Sequence, residues 1–308
     1  MAFAIHSSAL IALSSAASWG GGDFSGGMGV KTSGGRVPDA IRFVLLAHAI
    51  SLTALLAIAH TLPFPGLPGH TATLWAILAG LTGALGLVAF YIALSRGGMG
   101  TSAALSGLLA AAIPAVASSL LEGVPSALRL AGFALAGGAI WLIAAGSSPE
   151  GASESRSTMA LAVFAGVMFG IYFIALKMAN PLGLVASMAL ARITSITLCS
   201  LVLGTMAFSR RRRPPSPQAQ PAASGPWMNR PGVWGWACAV ALLDTGGNLL
   251  FMAATRAGRL DVASVLASLY PAGTILLAAW VLKERPTQRQ VLGMLTALAA
   301  VAMITLQV

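Results

Sequence analysis

Long apolar runs, broken only by short polar stretches, are the feature that most constrains the fold of this chain. Of its 308 residues, 57% are hydrophobic and only 8% are charged, whereas a soluble domain carries about 25% charged residues. Because this number of charges cannot cover a water-facing surface, the lipid bilayer is the solvent that suits this sequence. The runs are about 20 residues long, which is the length of a membrane-spanning helix. We therefore predict an all-α integral membrane protein rather than a β-barrel.

Charges, prolines and glycines divide the chain into ten predicted transmembrane helices. Their approximate bounds are 8–29, 40–60, 72–95, 99–120, 126–146, 159–179, 183–207, 233–255, 260–281 and 288–307. No Lys or Arg occurs in the first 30 residues, so we interpret the first segment as a retained helix rather than a signal peptide. The basic, Pro-rich stretch at about 208–231 cannot bury apolar surface and is predicted to be a disordered loop.

The spans fall into two similar halves, residues 1–150 and 151–308. Near the N-terminus an offset of 150 residues aligns Gly20 with Gly170 and Arg42 with Arg192. Further along the chain, an offset of 161 aligns Trp75 with Trp236, Gly86 with Gly247, Phe90 with Phe251, Ala93 with Ala254, Gly97 with Gly258 and Gly132 with Gly293. Each half has an odd number of spans, so the pattern predicts two five-helix inverted repeats. Many secondary transporters have this arrangement, with substrate sites near the midplane. The alternative is a duplicated membrane scaffold or sensor that transports nothing.

Two stretches resemble the EamA type of the drug/metabolite transporter superfamily. The first is SWGGGDFSGG, residues 18–27, and the second is AATRAGRLDVASVLASLYPAGTILLAAWVLKERPTQRQVLG, residues 253–293, with a central Pro271 followed by Glu284 and Gln290. The resemblance covers essentially the whole chain. It implies a ten-helix bundle that moves metabolites, amino acids or drugs, often as an exporter.

Polar residues inside the spans are the candidate binding residues, because ionisable groups are costly in the bilayer. Asp23 and Asp244 are the acidic residues well inside spans, and Asn248 lies one turn beyond Asp244 on the same face. Burial disfavours the charged form of a carboxylic acid, which is the property a proton-coupled carrier needs. We predict that both carboxylates line one midplane cavity, where they bind a cationic group or carry a coupling proton. The alternative is that each pairs with Arg192 or a backbone group and only joins helices.

Other side chains in the spans have two interpretations each. The forked donors of Arg192 suit a substrate carboxylate, and a structural ion pair is the alternative. Trp19 and Tyr172 are predicted cavity walls, although aromatic residues near span ends also anchor helices at the interface. Lys177 is expected to extend towards the membrane surface. His48 is expected to hydrogen-bond a neighbour, with proton relay as the alternative.

Several function classes lack their characteristic patterns. The Gly-rich run after Trp19 has no Gly-Lys-Ser/Thr ending, so no ATP site is predicted. Hydrolase, metal-site and paired-cysteine spacings are absent, and we predict no enzyme activity, cofactor or metal. The one enzyme alternative is an intramembrane aspartyl enzyme that uses Asp23 and Asp244. The net charge of +10 is dispersed between apolar runs, which fits anionic headgroups rather than nucleic acid.

The expected partners are a small-molecule substrate, protons as candidate coupling ions, membrane lipid and a second copy in a candidate homodimer. The expected location is a bacterial-type plasma membrane. Lys and Arg are concentrated in the loops after the odd-numbered spans, which places both termini outside. The family resemblance favours termini inside, and the orientation stays open.

Overall fold

The structure of the chain is a computed structural model that describes residues 2–62, 69–96, 99–145, 155–211, 227–281, 283 and 287–305. The described residues form eleven α-helices and two short 3-10 turns, with no β-strand among them. The helices are α1 (Ala2–Ser33), α2 (Val37–Thr61), α3 (His70–Arg96), α4 (Met99–Glu122), α5 (Ala127–Ala145), α6 (Arg156–Ala179), α7 (Leu184–Arg211), α8 (Val233–Ala257), α9 (Leu260–Ala267), α10 (Tyr270–Val281) and α11 (Gln288–Thr305). Helices satisfy their own backbone hydrogen bonds, which a bilayer requires.

Seven helical stretches of the described chain are long and apolar enough to cross a membrane. They lie in α2, α3, α4, α6, α7 and α8 and in the combined segment Leu260–Val281, while α5 and α11 contain shorter apolar stretches. Large apolar side chains point outward, among them Leu120 at 84% and Trp280 at 80% exposure, as lipid contact requires. The predicted all-helical, multi-pass membrane class is confirmed, and the number of ten spans stays a prediction.

The ninth predicted span, 260–281, is broken into α9 and α10. Pro271 lies at the beginning of α10 and has no N–H to donate to the carbonyl of Ala267, the last residue of α9. Pro114, in contrast, lies inside the continuous helix α4. The two prolines, which lie 157 residues apart rather than 161, therefore have different local structures.

Helical structure extends into both ends of the predicted loop at 208–231. Helix α7 continues to Arg211, and Trp227–Asn229 form a 3-10 turn just before α8. Residues 212–226, which include most of the Pro-rich stretch, lie outside the described residues.

Helices from the two halves pack directly on each other. The most extensive contacts are those of α1 with α8, α3 with α6, and α5 with α11. Helices α1 and α8 run antiparallel, because the Ser8 hydroxyl donates to the Ala254 carbonyl at 3.0 Å and Ser15 donates to the Gly247 carbonyl at 2.8 Å. The interior of the bundle is therefore built from both halves.

Helices α5 and α11 make two contacts with each other that are equivalent under the alignment of the halves. A methyl group on Gly132 would meet Ile304, and a methyl group on Gly293 would meet Ile143. The offset of 161 residues that aligns Gly132 with Gly293 also aligns Ile143 with Ile304. Each contact is thus the counterpart of the other.

Candidate functional site

A small cavity of about 30 Å³ lies inside the bundle, with room for roughly two water molecules. Helices α1, α3, α6, α7, α8 and α10 contribute its walls. The lining residues are Trp19, Asp23, Gly83, Leu87, Phe169, Tyr172, Phe173, Arg192, Asp244, Asn248 and Tyr270. The cavity is therefore formed where the two halves of the chain meet.

The structure brings all six sequence-predicted site residues to this cavity. They are Trp19, Asp23, Tyr172, Arg192, Asp244 and Asn248. Sequence reasoning missed the other lining residues, which are apolar, aromatic or glycine and resemble ordinary packing residues. The internal repeat indicates most of them, because they align with residues that were predicted.

The cavity lining contains four pairs of residues that align between the two halves. At the offset of 150 residues the pairs are Trp19 with Phe169 and Asp23 with Phe173, and at the offset of 161 they are Gly83 with Asp244 and Leu87 with Asn248. Two of these residues also make equivalent contacts, since Trp19 packs on Gly247 of α8 and Phe169 packs on Gly86 of α3. Corresponding surfaces of the two halves thus face the same space.

Arg192, which is 3% exposed, is held by a network of four side chains. Its Nη2 forms an ion pair with Oδ2 of Asp244 and donates to the Thr245 hydroxyl at 3.1 Å. Its Nε donates to the Ser51 hydroxyl at 3.2 Å, and its Nη1 lies 2.7 Å from Nε2 of His48. Of the five N–H groups of a guanidinium, four therefore have partners in the protein.

The hydrogen bonds of His48 define its tautomer. A guanidinium only donates, so Nε2 of His48 accepts from Arg192 and carries no proton. The proton is then on Nδ1, which donates to the Ser195 hydroxyl at 2.6 Å. His48 is therefore a neutral, fully paired link between α2 and α7, as the hydrogen-bonded interpretation of this residue predicted.

Asn248 is oriented by Asp244 and has a free acceptor. Its Nδ2 donates to Oδ2 of Asp244 at 3.2 Å, one helical turn earlier on α8. This bond fixes the amide, because only the nitrogen can donate to a carboxylate. The remaining Oδ1 of Asn248 is buried and accepts no hydrogen bond from the described residues.

Asp23 is the unpaired carboxyl group of the cavity. It lines the cavity and is 7% exposed, yet it forms no hydrogen bond or ion pair with any residue that the structure describes. It lies close enough to Asp244 for the two carboxylates to interact electrostatically. Two aspartates and one arginine line the cavity, so ionised Asp23 leaves it with an excess negative charge.

Aromatic rings form much of the remaining wall. The Trp19 ring stacks on Phe173 with centroids 4.9 Å apart and an interplanar angle of 4°. The hydroxyl of Tyr270 lies 2.7 Å from that of Ser106, and the Tyr172 ring lines the cavity beside Gly83. Trp19 and Tyr172 are therefore cavity residues in this structure and not interfacial anchors.

A second group of charges closes one end of the bundle. Lys177 near the end of α6 forms an ion pair with Glu122 at the end of α4. The other carboxylate oxygen of Glu122 accepts from the Ser118 hydroxyl at 2.7 Å and from the backbone N–H of Leu260 at 3.0 Å. Lys177 was expected to extend towards the membrane surface, which stays a prediction; in the structure its ion pair joins α4, α6 and the beginning of α9.

Arg259 strengthens the same junction. Its guanidinium donates to the carbonyl oxygens of Glu122 and Gly123 at 2.8 and 2.7 Å. It also forms an ion pair with the fully buried Asp261 at 2.8 Å. This cluster was not predicted from the sequence, because each member lies at a helix end, where charges are ordinarily solvated.

Comparisons with known proteins agree with the architecture. Residues 156–306 match the sequence profile of the EamA-like transporter family. A solved crystal structure of a protein superposes with a TM-score of 0.69, covering 98% of this chain and 97% of that chain at 15% identity. At that identity the likeness shows a shared fold. No curated protein matches the sequence.

Proposed function

We propose that this chain, which belongs to the EamA-like transporter family through residues 156–306, is a secondary transporter that moves small metabolites by alternating access. The family is one of transporters, and the described helices are those of a multi-pass membrane protein.

The observation that carries the proposal is an unpaired carboxyl group, Asp23, in a cavity lined by aligned positions of both halves. Inverted-repeat transporters bind substrate where the repeats meet, near the midplane. The four aligned pairs in the lining, together with the reciprocal contacts of Gly132 and Gly293, support two five-helix inverted repeats and hence ten spans. A carboxyl group buried without a partner is unfavourable for a purely structural protein.

The predicted site residues take different roles in this proposal. Asp23 binds the substrate or the coupling proton, because it has no described partner. Arg192 holds Asp244 in place and is a positioning residue, since four of its N–H groups are already used. Trp19 and Tyr172 supply the aromatic wall, and Asn248 supplies a free acceptor oxygen.

The alternative function is that of a membrane scaffold, and the pairing of Asp23 and Asp244 distinguishes it from a transporter. A scaffold predicts that both cavity aspartates are paired, and Asp244 meets that expectation through Arg192. Asp23 does not meet it, which favours transport. We further propose export across a bacterial-type plasma membrane, with protons as coupling ions; a homodimer stays a prediction.

Metabolite release from cells that overproduce the protein tests the proposal. We compare wild type, Asp23→Asn, Asp39→Asn and empty-vector cells at equal membrane abundance. Asp39 is a matched control because its carboxylate pairs with Arg42 at 3.4 Å at the beginning of α2, away from the cavity. Release of one compound class by wild type and Asp39→Asn, but not by Asp23→Asn, supports export through this site. Equal release by all four cell lines contradicts it.

A further inference from the structure

We propose that the cavity selects organic ammonium ions, which are amines with an aromatic or apolar body and no carboxylate. This inference rests on the proposed transport function and names the substrate class of its site. Three properties of the lining carry it: the kind of polar group that is free, the state of Arg192 and the distribution of apolar walls.

The carboxylate and amide oxygens of the cavity that lack described partners are acceptors, and the donors that lack one are the neutral Trp19 N–H and Tyr172 hydroxyl. Asp23 offers a carboxylate without a described partner, and Asn248 offers Oδ1, which accepts no hydrogen bond from the described residues. A primary ammonium has three N–H donors and no acceptor. It therefore satisfies both oxygens, and when Asp23 is ionised it also cancels the excess negative charge of the cavity, which a neutral ligand does not.

The cavity offers little to a substrate carboxylate. Its one cationic lining residue, Arg192, already donates to Asp244, Thr245, Ser51 and His48. A carboxylate entering the cavity meets Asp23 and Asp244 without a free guanidinium to balance them. Anions and zwitterions are thus selected against by repulsion as well as by the lack of an unpaired cationic group.

The polar and apolar groups of the cavity lie on opposite members of the aligned pairs. Asp23 aligns with Phe173, Asp244 with Gly83 and Asn248 with Leu87. Helices α1 and α8 therefore present the acceptors, while the aligned positions on α3 and α6 are apolar. A ligand with a charged head and an apolar body matches this division, and aromatic rings beside the head add cation–π attraction.

Binding to the purified full-length protein at neutral pH tests this selectivity with three probes. The probes are 2-phenylethylamine, L-phenylalanine and phenylacetate, which carry a benzyl group and differ in the charged groups attached to it. We expect wild type to bind the amine about tenfold or more tightly than either other probe, and Asp23→Asn to weaken amine binding by a similar factor. Asn248→Leu, which removes the free acceptor, weakens amine binding less, and Asp39→Asn leaves it unchanged.

Three outcomes overturn the inference: the amino acid or the acid binds as tightly as the amine, the amine does not bind wild type, or it binds Asp23→Asn equally. Asn248→Leu keeps the test decisive if Asp23→Asn fails to fold. The metabolite-release experiment separates this failure from failure of the transport proposal. Asp23-dependent release of a zwitterion or anion retains the transporter and rejects the amine class, whereas equal release by every cell line rejects transport itself.

Discussion

The guanidinium of Arg192 on α7 and the carboxylate of Asp244 on α8 form a buried ion pair, with side-chain exposures of 4% and 10%. The pair neutralises one of the two cavity aspartates and leaves Asp23 as the free one. A buried pair of this kind is costly to break, because loss of one member leaves the other charged and unsolvated. We therefore expect Asp244 to matter mainly for stability and Asp23 mainly for transport.

Breaking this pair should destabilise the protein strongly. We expect Arg192→Met to lower the free energy of unfolding by about 3–5 kcal/mol, since it orphans Asp244 and the acceptor of His48. The double variant Arg192→Met/Asp244→Leu should lose clearly less than the sum of the two single variants. Denaturant unfolding in detergent micelles measures all three. Additive losses would show that the two side chains are not coupled.

Asp23→Asn and Asp244→Asn should have opposite profiles. Asp23 has no described partner to lose, so Asp23→Asn should keep the wild-type unfolding midpoint, or raise it, while transport is lost. Asp244→Asn removes the charge that Arg192 faces and should lower the midpoint. Thermal unfolding of both variants, with transport assayed in parallel, checks the contrast. A large loss of stability in Asp23→Asn would reveal a structural role and contradict our assignment.

Two neighbouring glycines on α8 allow a matched test of the aromatic wall. A methyl group on Gly247 would overlap the Trp19 ring, whereas a methyl group on Gly246 meets nothing within 4 Å. We expect Gly247→Ala to displace Trp19 and reduce transport, at a cost of about 1–3 kcal/mol, and Gly246→Ala to behave as wild type. Transport rate and tryptophan fluorescence measure the two effects. Equal transport rates and fluorescence of the two variants would show that Trp19 does not contribute to the site.

The charged junction at the bundle end should contribute to stability as a unit. Glu122→Gln removes the ion pair with Lys177 but keeps an oxygen for the Ser118 hydroxyl and the Leu260 N–H. The pair is half-buried, so we expect a loss of about 1–2 kcal/mol from Glu122→Gln or Lys177→Met. The double variant should lose little more than the larger single effect. Unfolding midpoints measured at low and high salt test this, and the effect should shrink with salt.

The sequence predicted the cavity because the bilayer makes buried polar residues conspicuous. Asp23, Arg192, Asp244 and Asn248 stand out in apolar helices, and the structure places all of them around one space. The internal repeat adds apolar partners such as Phe173, which aligns with Asp23. Neither signal depends on the detailed packing of side chains.

The partners of each polar group were not predictable in the same way. The hydrogen bonds of Arg192 depend on His48 and Ser51 from α2 and Thr245 from α8, and nothing in the sequence determines how these helices are rotated towards α7. The break between α9 and α10 was missed because the span is continuously apolar through Pro271. Helix pairing and rotation are set by tertiary contacts that sequence periodicity does not encode.

Access to the cavity from both membrane faces tests the account most directly and needs no knowledge of the substrate. A single cysteine replaces the cavity residue Leu87 in a background in which the two free cysteines, Cys199 and Cys238, are alanine. A membrane-impermeant thiol reagent is applied to right-side-out and to inside-out vesicles. Alternating access predicts that Leu87→Cys is labelled from either face. Labelling from one face alone, or from neither, would contradict a transporter built around this cavity.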